Sequence, residues 1–333
     1  MELSIVVPVF NEAESLPRLH EEISSLAEAQ GYRLEIIFVD DGSTDGSWSV
    51  IRRLAQSDVR VRGIRFRRNF GKAAALSAGF AAAQGELVVT LDADLQDDPA
   101  EIPNLIARIR QGCDLVSGWK QVRHDPWHKV LPSRVFNWLV GALTGVKLHD
   151  HNCGLKCYRR EVTAEVRLYG ERHRFVPVLA AARGFRVGEV AVKHRPREFG
   201  QSKYGFSRFL KGFLDLLTVK FLTGFGQRPQ HLLGGIGLGC FFIGLIGLIF
   251  LAAQWLFSRV LPGAEAIHLH ERPALLYSVA LLIMGGQFLS LGVVAELFIS
   301  HYEPESPSYS VAERTDDASP AAAAPPENPE TKN

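Results

Sequence analysis

The chain lacks several features that would place it in a common class of protein. Lys and Arg total 37 against 36 Asp and Glu, so the net charge of +1 provides no basic excess for binding nucleic acid. The four cysteines are few and unevenly spaced, which argues against a disulfide framework. No signal-peptide pattern precedes the first apolar run, so we expect the N-terminal part of the chain to stay in the cytoplasm.

Two nucleotide-binding fingerprints and a clear zinc pattern are also missing. No Gly-x-Gly-x-x-Gly follows the first apolar run and no Gly-x-x-x-x-Gly-Lys-Ser/Thr occurs, which excludes the dinucleotide-binding and P-loop classes. His149, His151, Cys153 and Cys157 lie close together, but their spacing matches no common zinc site. We therefore predict no zinc centre and leave the role of these four residues open.

Charge is absent from two long stretches near the C-terminus. Leu232 to Phe257 and Pro273 to Ala295 contain no charged residue and no histidine. Each exceeds the ~20 apolar residues that cross a bilayer as a helix, and buried helices of soluble proteins seldom run so long uncharged. The positive-inside tendency then predicts a multi-pass hairpin in the inner (plasma) membrane, with the upstream domain and the tail both cytoplasmic. The basic residues on the upstream side are Arg208, Lys211, Lys220 and Arg228.

The composition divides the chain into six predicted segments. They are a cytoplasmic domain over residues 1–204, interfacial amphipathic helices over 205–231, a first transmembrane helix over 232–257, an extracytoplasmic loop over 258–272, a second transmembrane helix over 273–300 and a disordered cytoplasmic tail over 301–333. Phe206–Phe225 suits either the membrane interface or packing on the cytoplasmic domain. Two glycine pairs in the first span suit either packing within the hairpin or a contact between subunits: Gly235 with Gly239, and Gly244 with Gly247.

The N-terminal half alternates apolar, β-rich runs with amphipathic stretches. Strands are predicted at Ser4–Phe10, Leu34–Val39, Val61–Phe66, Leu87–Leu91 and Asp114–Ser117, and helices at Glu12–Gln30, Ser47–Gln56, Lys72–Gln84 and Ile102–Gln111. Repeated β-α-β units imply an α/β fold with a mostly parallel sheet covered on both faces. Ligands bind such sheets at the carboxyl ends of the strands, so we expect functional residues there.

Polar clusters follow the first four predicted strands, and the fourth cluster is the most informative. The run Asp92-Ala93-Asp94-Leu95-Gln96-Asp97-Asp98-Pro99 comes directly after an apolar strand. Carboxylate and amide oxygens suit a hard cation such as Mg²⁺ or Mn²⁺, which makes Asp92, Asp94 and Gln96 candidate metal ligands. A cation held there would neutralise a diphosphate leaving group.

Four motifs, in this order, resemble those of family 2 glycosyltransferases with the GT-A fold. They are Val7–Glu12 (VPVFNE), Val39–Gly46 (VDDGSTDG), Asn69–Lys72 (NFGK) and Asp92–Pro99 (DADLQDDP). The chain is most similar to the branch that contains dolichol-phosphate mannosyltransferases and bacterial polyprenyl-phosphate glucosyltransferases. The resemblance extends from residue 4 to about residue 210 and implies a GT-A domain with a mostly parallel sheet, followed by a two-helix transmembrane hairpin.

The resemblance implies a nucleotide-sugar donor and assigns residues to it. Ten residues form the implied donor site: Pro8, Asn11, Glu12, Asp40, Asp41, Lys72, Asp92, Ala93, Arg197 and Lys203. Asp40 would contact the edge of the base, and Asp94, Arg197 and Lys203 are the implied catalytic residues. The metal and the two basic side chains would stabilise charge on the departing diphosphate. Arg197 and Lys203 also suit contact with anionic lipid headgroups.

The implied acceptor is a polyprenyl phosphate, such as undecaprenyl or dolichyl phosphate, whose insoluble tail would explain the hairpin. Four residues are candidates for binding its phosphate: Lys120, Arg123, Ser133 and Arg134. A phosphomonoester with a second pKa of ~6 is mostly ionised near neutral pH, so it is already a nucleophile. The resemblance implies a single inverting displacement that moves a hexose from a donor of the UDP-glucose or GDP-mannose class.

Other readings of the same motifs stay open at this point. A processive polysaccharide synthase is disfavoured because no Gln-x-x-Arg-Trp motif precedes the spans. An undecaprenyl-phosphate aminoarabinose-type transferase for lipid A modification is not excluded. A non-catalytic membrane scaffold is disfavoured because the candidate site residues are all present: Asp92, Asp94, Gln96, Arg197 and Lys203. The resemblance further suggests a homotetramer, with a flippase and a polytopic glycosyltransferase acting downstream.

Overall fold

A seven-stranded sheet lies at the centre of the N-terminal half. The computed structural model describes residues 2–121, 127–166, 168, 170, 172–195, 207–225, 228–260 and 268–301. The strands are β1 (Leu3–Val9), β2 (Leu34–Asp40), β3 (Val61–Arg65), β4 (Leu87–Thr90), β5 (Leu115–Lys120), β6 (Lys156–Arg159) and β7 (Val187–Val192). Their order is β3-β2-β1-β4-β6-β5-β7, and β6 pairs antiparallel with both neighbours while the other pairings are parallel. The predicted α/β fold with a mostly parallel sheet is confirmed.

Helices cover both faces of this sheet. They are α1 (Leu16–Gln30), α2 (Ser47–Ser57), α3 (Lys72–Ala82), α4 (Ile102–Arg110), α5 (Trp127–Thr144), α6 (Arg160–Glu165) and α7 (Val176–Ala182). Alternate side chains of a strand point to opposite faces, so Ile5 packs in one core with Leu19 of α1, and Val6 packs in the other with Leu76 of α3. Burial on both faces explains why β1 and β2 are nearly continuous apolar runs.

Three further helices follow the sheet domain: α8 (Ser207–Phe225), α9 (Pro229–Val260) and α10 (Pro273–His301). Helices α9 and α10 are long and apolar enough to cross a membrane, with mean hydropathies of 2.6 and 1.9 over their most apolar windows. They pack antiparallel, since Gly237 lies against Gly285 and Leu289 while Gly244 lies against Ser278 and Leu282. The helices thus form the predicted hairpin.

One of the two glycine pairs of α9 packs within the hairpin, against α10. An added Cβ at Gly244 would lie 2.6 Å from the carbonyl oxygen of Ser278, and Gly247 also faces Ser278. This pair therefore permits close approach within the hairpin. Gly235 and Gly239 have open space where a Cβ would stand, so that side of α9 is uncovered.

Helix α8 has two different apolar faces. Leu216 and Val219 are fully buried in a small core with Val140 of α5 and with Phe175 and Val178. Leu214 and Leu217, on the other side, are 54% and 45% exposed. The helix consequently packs on the sheet domain and also presents apolar side chains outward, and the membrane-interface role of Phe206–Phe225 stays a prediction.

Candidate active site

A cavity of about 270 Å³, which we call the acidic cavity, lies at the carboxyl ends of β1, β2 and β4. Parallel strands bring their carboxyl ends to one edge, which is where open α/β sheets bind ligands. Seven of the predicted donor and metal residues line this cavity: Pro8, Glu12, Asp41, Lys72, Asp92, Ala93 and Asp94. Val9, Phe10, Asn69, Gly71 and Ala75 complete the lining. Asn69 and Gly71 belong to the Asn-Phe-Gly-Lys motif, and that motif could have identified them as site residues.

Asn11 and Asp40 hold the neighbouring loops and do not line the acidic cavity. Asn11 has a left-handed backbone with φ 58°, and its Oδ1 accepts a hydrogen bond of 2.9 Å from the amide of Thr44. Asp40 is fully buried, where its Oδ1 accepts a 2.9 Å hydrogen bond from the amide of Ser43 and its Oδ2 lies 3.3 Å from Arg65. Their predicted contacts with a nucleotide stay predictions.

Asp41 shapes the loop that carries Lys72 into the cavity. Its two carboxylate oxygens accept hydrogen bonds from the amides of Phe70 (2.7 Å) and Gly71 (2.9 Å). Burial raises the pKa of Asp41 by more than these two hydrogen bonds lower it. Gly71 has φ 94°, a conformation that favours glycine, and Lys72 begins α3 immediately after it.

An ion pair between Lys72 and Asp92 occupies the acidic cavity. The Lys72 ammonium donates a hydrogen bond to Oδ1 of Asp92. Burial alone would raise the pKa of Asp92, but the contact with Lys72, together with the charges of Lys120 and Lys156, lowers that pKa to about 2. The same contact raises the pKa of Lys72 despite its burial. Both groups are therefore charged at neutral pH.

The segment that leads into β6 supplies the wall behind Asp92. A Cβ at Gly154 would lie 2.5 Å from Oδ2 of Asp92, so a larger residue would displace the carboxylate. The Thr90 hydroxyl donates a 2.7 Å hydrogen bond to the carbonyl of Gly154 and fixes this segment against β4. The position of Asp92 thus depends on a strand that enters the sheet antiparallel and from far along the chain.

The residues around Asp92 and Asp94 fit a divalent cation. Both carboxylates line the same cavity, and Oδ1 of Asp94 accepts a 3.2 Å hydrogen bond from the amide of Gln96 across Leu95, whose φ of 60° is unusual for a leucine. Within the described residues, no three His, Cys, Asp or Glu side chains gather into an all-protein metal cage. Mg²⁺ is commonly held by one or two carboxylates together with substrate phosphates, and this donor set matches that pattern.

A second and larger cavity of about 820 Å³, which we call the basic cavity, lies between the end of β5 and helix α5. Its lining is basic and aromatic: Trp119, Lys120, Gln121, Arg134, Asn137, Trp138, Gly141, Ala142, Lys147, Leu148 and His149. Trp119 stacks on His149 with ring centroids 4.1 Å apart, and Trp138 is 70% exposed. The predicted Lys120 and Arg134 line it, whereas Trp119, Lys147 and His149 were not predicted.

The remaining candidates divide into two groups. Ser133 lies next to Arg134 but is not among the lining residues of the basic cavity. Arg123, Arg197 and Lys203 lie outside the described residues, so their roles stay predictions. The described chain approaches residues 196–206 through Arg195, which forms ion pairs of 2.8 Å with both Glu22 and Asp98.

Three members of the histidine and cysteine cluster, His151, Cys153 and Cys157, form a buried and neutral part of the core. Cys153 and Cys157 are buried, and burial raises the pKa of each thiol to about 12. His151 is fully buried, and burial lowers its pKa to about 4. His149 instead stacks on Trp119, and its Nδ1 lies 2.8 Å from Glu189.

Comparison with known proteins assigns the family. Residues 4–167 match the family model described as Glycosyl transferase family 2. The chain is 39% identical over 328 residues to a dodecaprenyl-phosphate galacturonate synthase of Rhizobium johnstonii, covering 96% of this chain and 95% of that protein. It is 37% identical over 301 residues to an undecaprenyl-phosphate 4-deoxy-4-formamido-L-arabinose transferase of Shewanella sediminis, covering 88% and 86% of the two chains. The chain therefore belongs to glycosyl transferase family 2.

A solved structure shares the fold. Glucosyl-3-phosphoglycerate synthase from Mycobacterium tuberculosis, in complex with Mn²⁺, uridine diphosphate and phosphoglyceric acid, superposes with a TM-score of 0.50 at 20% identity. The match covers 67% of this chain and 78% of that one. At this identity the likeness concerns the fold alone. The predicted family, the GT-A fold and the glycosyltransferase class are confirmed.

Proposed function

We propose that the protein is a membrane-bound inverting glycosyltransferase that moves a sugar from a nucleotide-diphosphate donor to a polyprenyl phosphate. The observation that carries this proposal is the pair of cavities with opposite chemistry in one sheet domain. The acidic cavity offers Asp92, Asp94 and Lys72, and the basic cavity offers Lys120 and Arg134 beside α5. Helix α5 in turn packs against α8, which precedes the hairpin.

The donor belongs in the acidic cavity. Asp92, Asp94 and Gln96 would hold Mg²⁺ or Mn²⁺, and the bound ion would neutralise charge on the diphosphate. Lys72 supplies a further point charge within reach of the same diphosphate, and Arg197 and Lys203 are proposed to complete its binding. Pro8 and Glu12 line the side of the cavity on which the ribose would lie.

The acceptor phosphate belongs in the basic cavity. Lys120, Arg134 and Lys147 place three cations around this space, and the exposed ring of Trp138 offers an apolar surface for the first isoprene unit. The ionised phosphate needs no strong general base because it is already a nucleophile. Its oxygen would attack the anomeric carbon while the nucleotide diphosphate leaves from the opposite face.

The names of the two relatives favour modified sugars as donors. One relative is named for galacturonate and the other for 4-deoxy-4-formamido-L-arabinose, each carried by a polyprenyl phosphate. We therefore place the corresponding UDP-sugars ahead of UDP-glucose and GDP-mannose. An aminoarabinose-type transferase is therefore one of the two favoured functions, beside a galacturonate transferase.

The proposed location is the inner (plasma) membrane, with the sheet domain in the cytoplasm and α9 and α10 crossing the bilayer. The exposed apolar side chains of both helices support membrane contact. The open faces of Gly235 and Gly239 leave room for close contact with another helix, and a homotetramer formed through the hairpins stays a proposal. A flippase and a polytopic glycosyltransferase acting on the product stay proposals.

A donor panel tests the proposed function. Purified full-length protein in detergent would receive undecaprenyl phosphate and one labelled donor: UDP-galacturonate, UDP-4-deoxy-4-formamido-L-arabinose, UDP-glucose or GDP-mannose. Labelled lipid that forms from one donor and requires Mn²⁺ or Mg²⁺ is the expected result. No labelled lipid from any donor, with the folded state verified by thermal unfolding, would contradict the proposal and favour the scaffold alternative.

A further inference from the structure

A buried ion pair between Asp97 and Lys120 joins the two cavities. Asp97 is 1% exposed, and its Oδ1 lies 2.9 Å from the ammonium of Lys120. Asp97 follows Gln96 in the segment that carries Asp92 and Asp94. Lys120 is the last residue of β5 and lines the basic cavity. The pair therefore connects the segment that forms the acidic cavity to a wall of the basic cavity.

Lys120 is the charged partner of Asp97. Among the described residues, neither oxygen of Asp97 accepts a hydrogen bond from a backbone amide, and Lys120 is the cation within ion-pair distance. Burying two charges carries a desolvation cost that offsets much of their attraction, and replacing such a pair by apolar residues is often neutral or stabilising. Stability is therefore a weak reason for a carboxylate at this position.

Both members of the pair stand on fixed backbone. Asp97 forms an isolated antiparallel bridge with His194, and the amide of Arg195 donates a 2.9 Å hydrogen bond to the carbonyl of Gln96. Lys120 is paired in register with Val192 at the end of β7. The carboxylate can therefore hold the ammonium in one place without moving either chain segment.

The orientation of Lys120 leaves capacity for a ligand. Lys120 and Asp97 form a close ion pair, and an ammonium has three N–H donors, so this contact leaves donors for another anion. The side chain of Lys120 is 15% exposed, and Lys120 is one of the residues that line the basic cavity. A lysine without a fixed partner is a flexible point charge, so a second group is needed to orient it.

We infer that Asp97 is a positioning residue, which holds the Lys120 ammonium so that its free N–H groups meet the phosphate of a polyprenyl phosphate in the basic cavity. The inference rests on the proposed function, because it assumes that the acceptor phosphate enters that cavity. It adds that a carboxylate next to the metal-binding segment sets the geometry of the acceptor site.

Binding of a short acceptor tests the inference without turnover. Farnesyl phosphate and farnesol, which differ by the phosphate, would be titrated into the full-length protein while its tryptophan fluorescence, to which Trp119 and Trp138 contribute, is recorded. The wild-type protein should prefer farnesyl phosphate by about tenfold or more, since hydrogen bonds to charged groups are among the stronger ones. Asp97→Asn should lose about tenfold of this preference with farnesol affinity unchanged.

A double-mutant cycle shows whether Asp97 acts through Lys120. Lys120→Met should also lose the phosphate preference, and adding Asp97→Asn to it should cause no further loss. Asp114→Asn is the matched control, because Asp114 precedes β5 at its other end and pairs there with Arg159 and Arg186. This control should keep the wild-type preference.

The outcomes separate the inference from the proposed function. Failure of the wild-type protein to prefer farnesyl phosphate over farnesol would contradict the proposed acceptor site itself. A wild-type preference that Asp97→Asn retains, or additive losses in the double variant, would overturn only the positioning role. If Asp97→Asn does not fold, Asp97→Glu replaces it in the test, because this variant keeps the charge but displaces the ammonium. Reduced phosphate preference in that variant supports the role, and unchanged preference overturns it.

Discussion

The two cavities differ in how the chain builds them. The acidic cavity is assembled from short loops that each follow a parallel strand, so its residues come in ordered groups along the sequence. The basic cavity joins the end of β5, one face of α5 and the segment around Lys147, which are separate in the sequence and meet through tertiary contacts. The proposed donor site is therefore built from local loops, whereas the proposed acceptor site lies beside α5, which packs against α8.

The largest expected effect comes from removing a carboxylate of the acidic cavity. Asp94→Asn should lower the rate of sugar transfer on the order of a thousandfold, because charge on the departing diphosphate loses its main stabilisation. Single-turnover transfer of labelled sugar measures this effect. Farnesyl phosphate binding should stay unchanged, and transfer near the wild-type rate would exclude Asp94 as a metal ligand.

A substitution in the basic cavity should weaken binding of the acceptor and leave binding of the donor unchanged. Arg134→Met should raise the KM for the polyprenyl phosphate by about tenfold or more, because a forked cation is lost from the phosphate site. Steady-state rates over a range of acceptor concentrations measure this. An equal rise in the donor KM would mean that the two cavities do not have separate ligands.

Lys72 should affect metal and nucleotide in opposite directions. Its ammonium contacts Asp92, so Lys72→Met should tighten Mn²⁺ binding to the nucleotide-free protein by about tenfold. In saturating Mn²⁺ the same variant should bind UDP more weakly, since a cation is lost from the diphosphate site. Calorimetric titration measures both affinities. Unchanged Mn²⁺ affinity would show that Lys72 does not compete with the metal.

The smallest effect should come from an ion pair outside both cavities. Hydrogen bonds from Arg60, and a further one from His20, hold the pKa of Asp58 below its usual range. A carboxylate with a lowered pKa in the folded state stabilises the protein above its unfolded pKa of ~3.9, and this contribution is lost as the pH falls through the folded value.

Asp58→Asn should accordingly lower the unfolding temperature at pH 7 by about 2–4 °C. The difference from the wild-type protein should shrink as the pH falls below about 4. Thermal unfolding followed by circular dichroism at several pH values measures this. Sugar transfer at neutral pH should be unaffected, and a changed KM for either substrate would contradict the separation of this pair from the cavities.

The acidic cavity could be predicted from the sequence because its signals are local. Asp92 and Asp94 directly follow a buried strand, and Asp41 and Lys72 follow two others, so a parallel sheet places them together. Asp40 shows the limit of that reasoning. Asp40 is the last residue of β2, and Asp41 follows it directly. Alternation along the strand points the side chain of Asp40 into the interior, where it contacts Arg65 and Ser43.

The basic cavity could be predicted only in part because its contacts are long-range. Lys120 and Arg134 were candidates through family resemblance, whereas Trp119 and His149 meet by stacking across segments that share no sequence pattern. Gly154 likewise reaches Asp92 because β6 inserts antiparallel between β4 and β5, far along the chain from either. Such pairings depend on tertiary packing and leave no periodic signal.

A two-substrate kinetic comparison tests the central claim most directly. Initial rates of labelled lipid formation would be measured against both donor and acceptor for the wild type, Lys72→Met and Arg134→Met, with the donor that the panel identifies. The account predicts a crossed result, in which Lys72→Met raises the donor KM alone and Arg134→Met raises the acceptor KM alone. Parallel changes in both KM values for both variants would contradict the assignment of separate ligands to the two cavities.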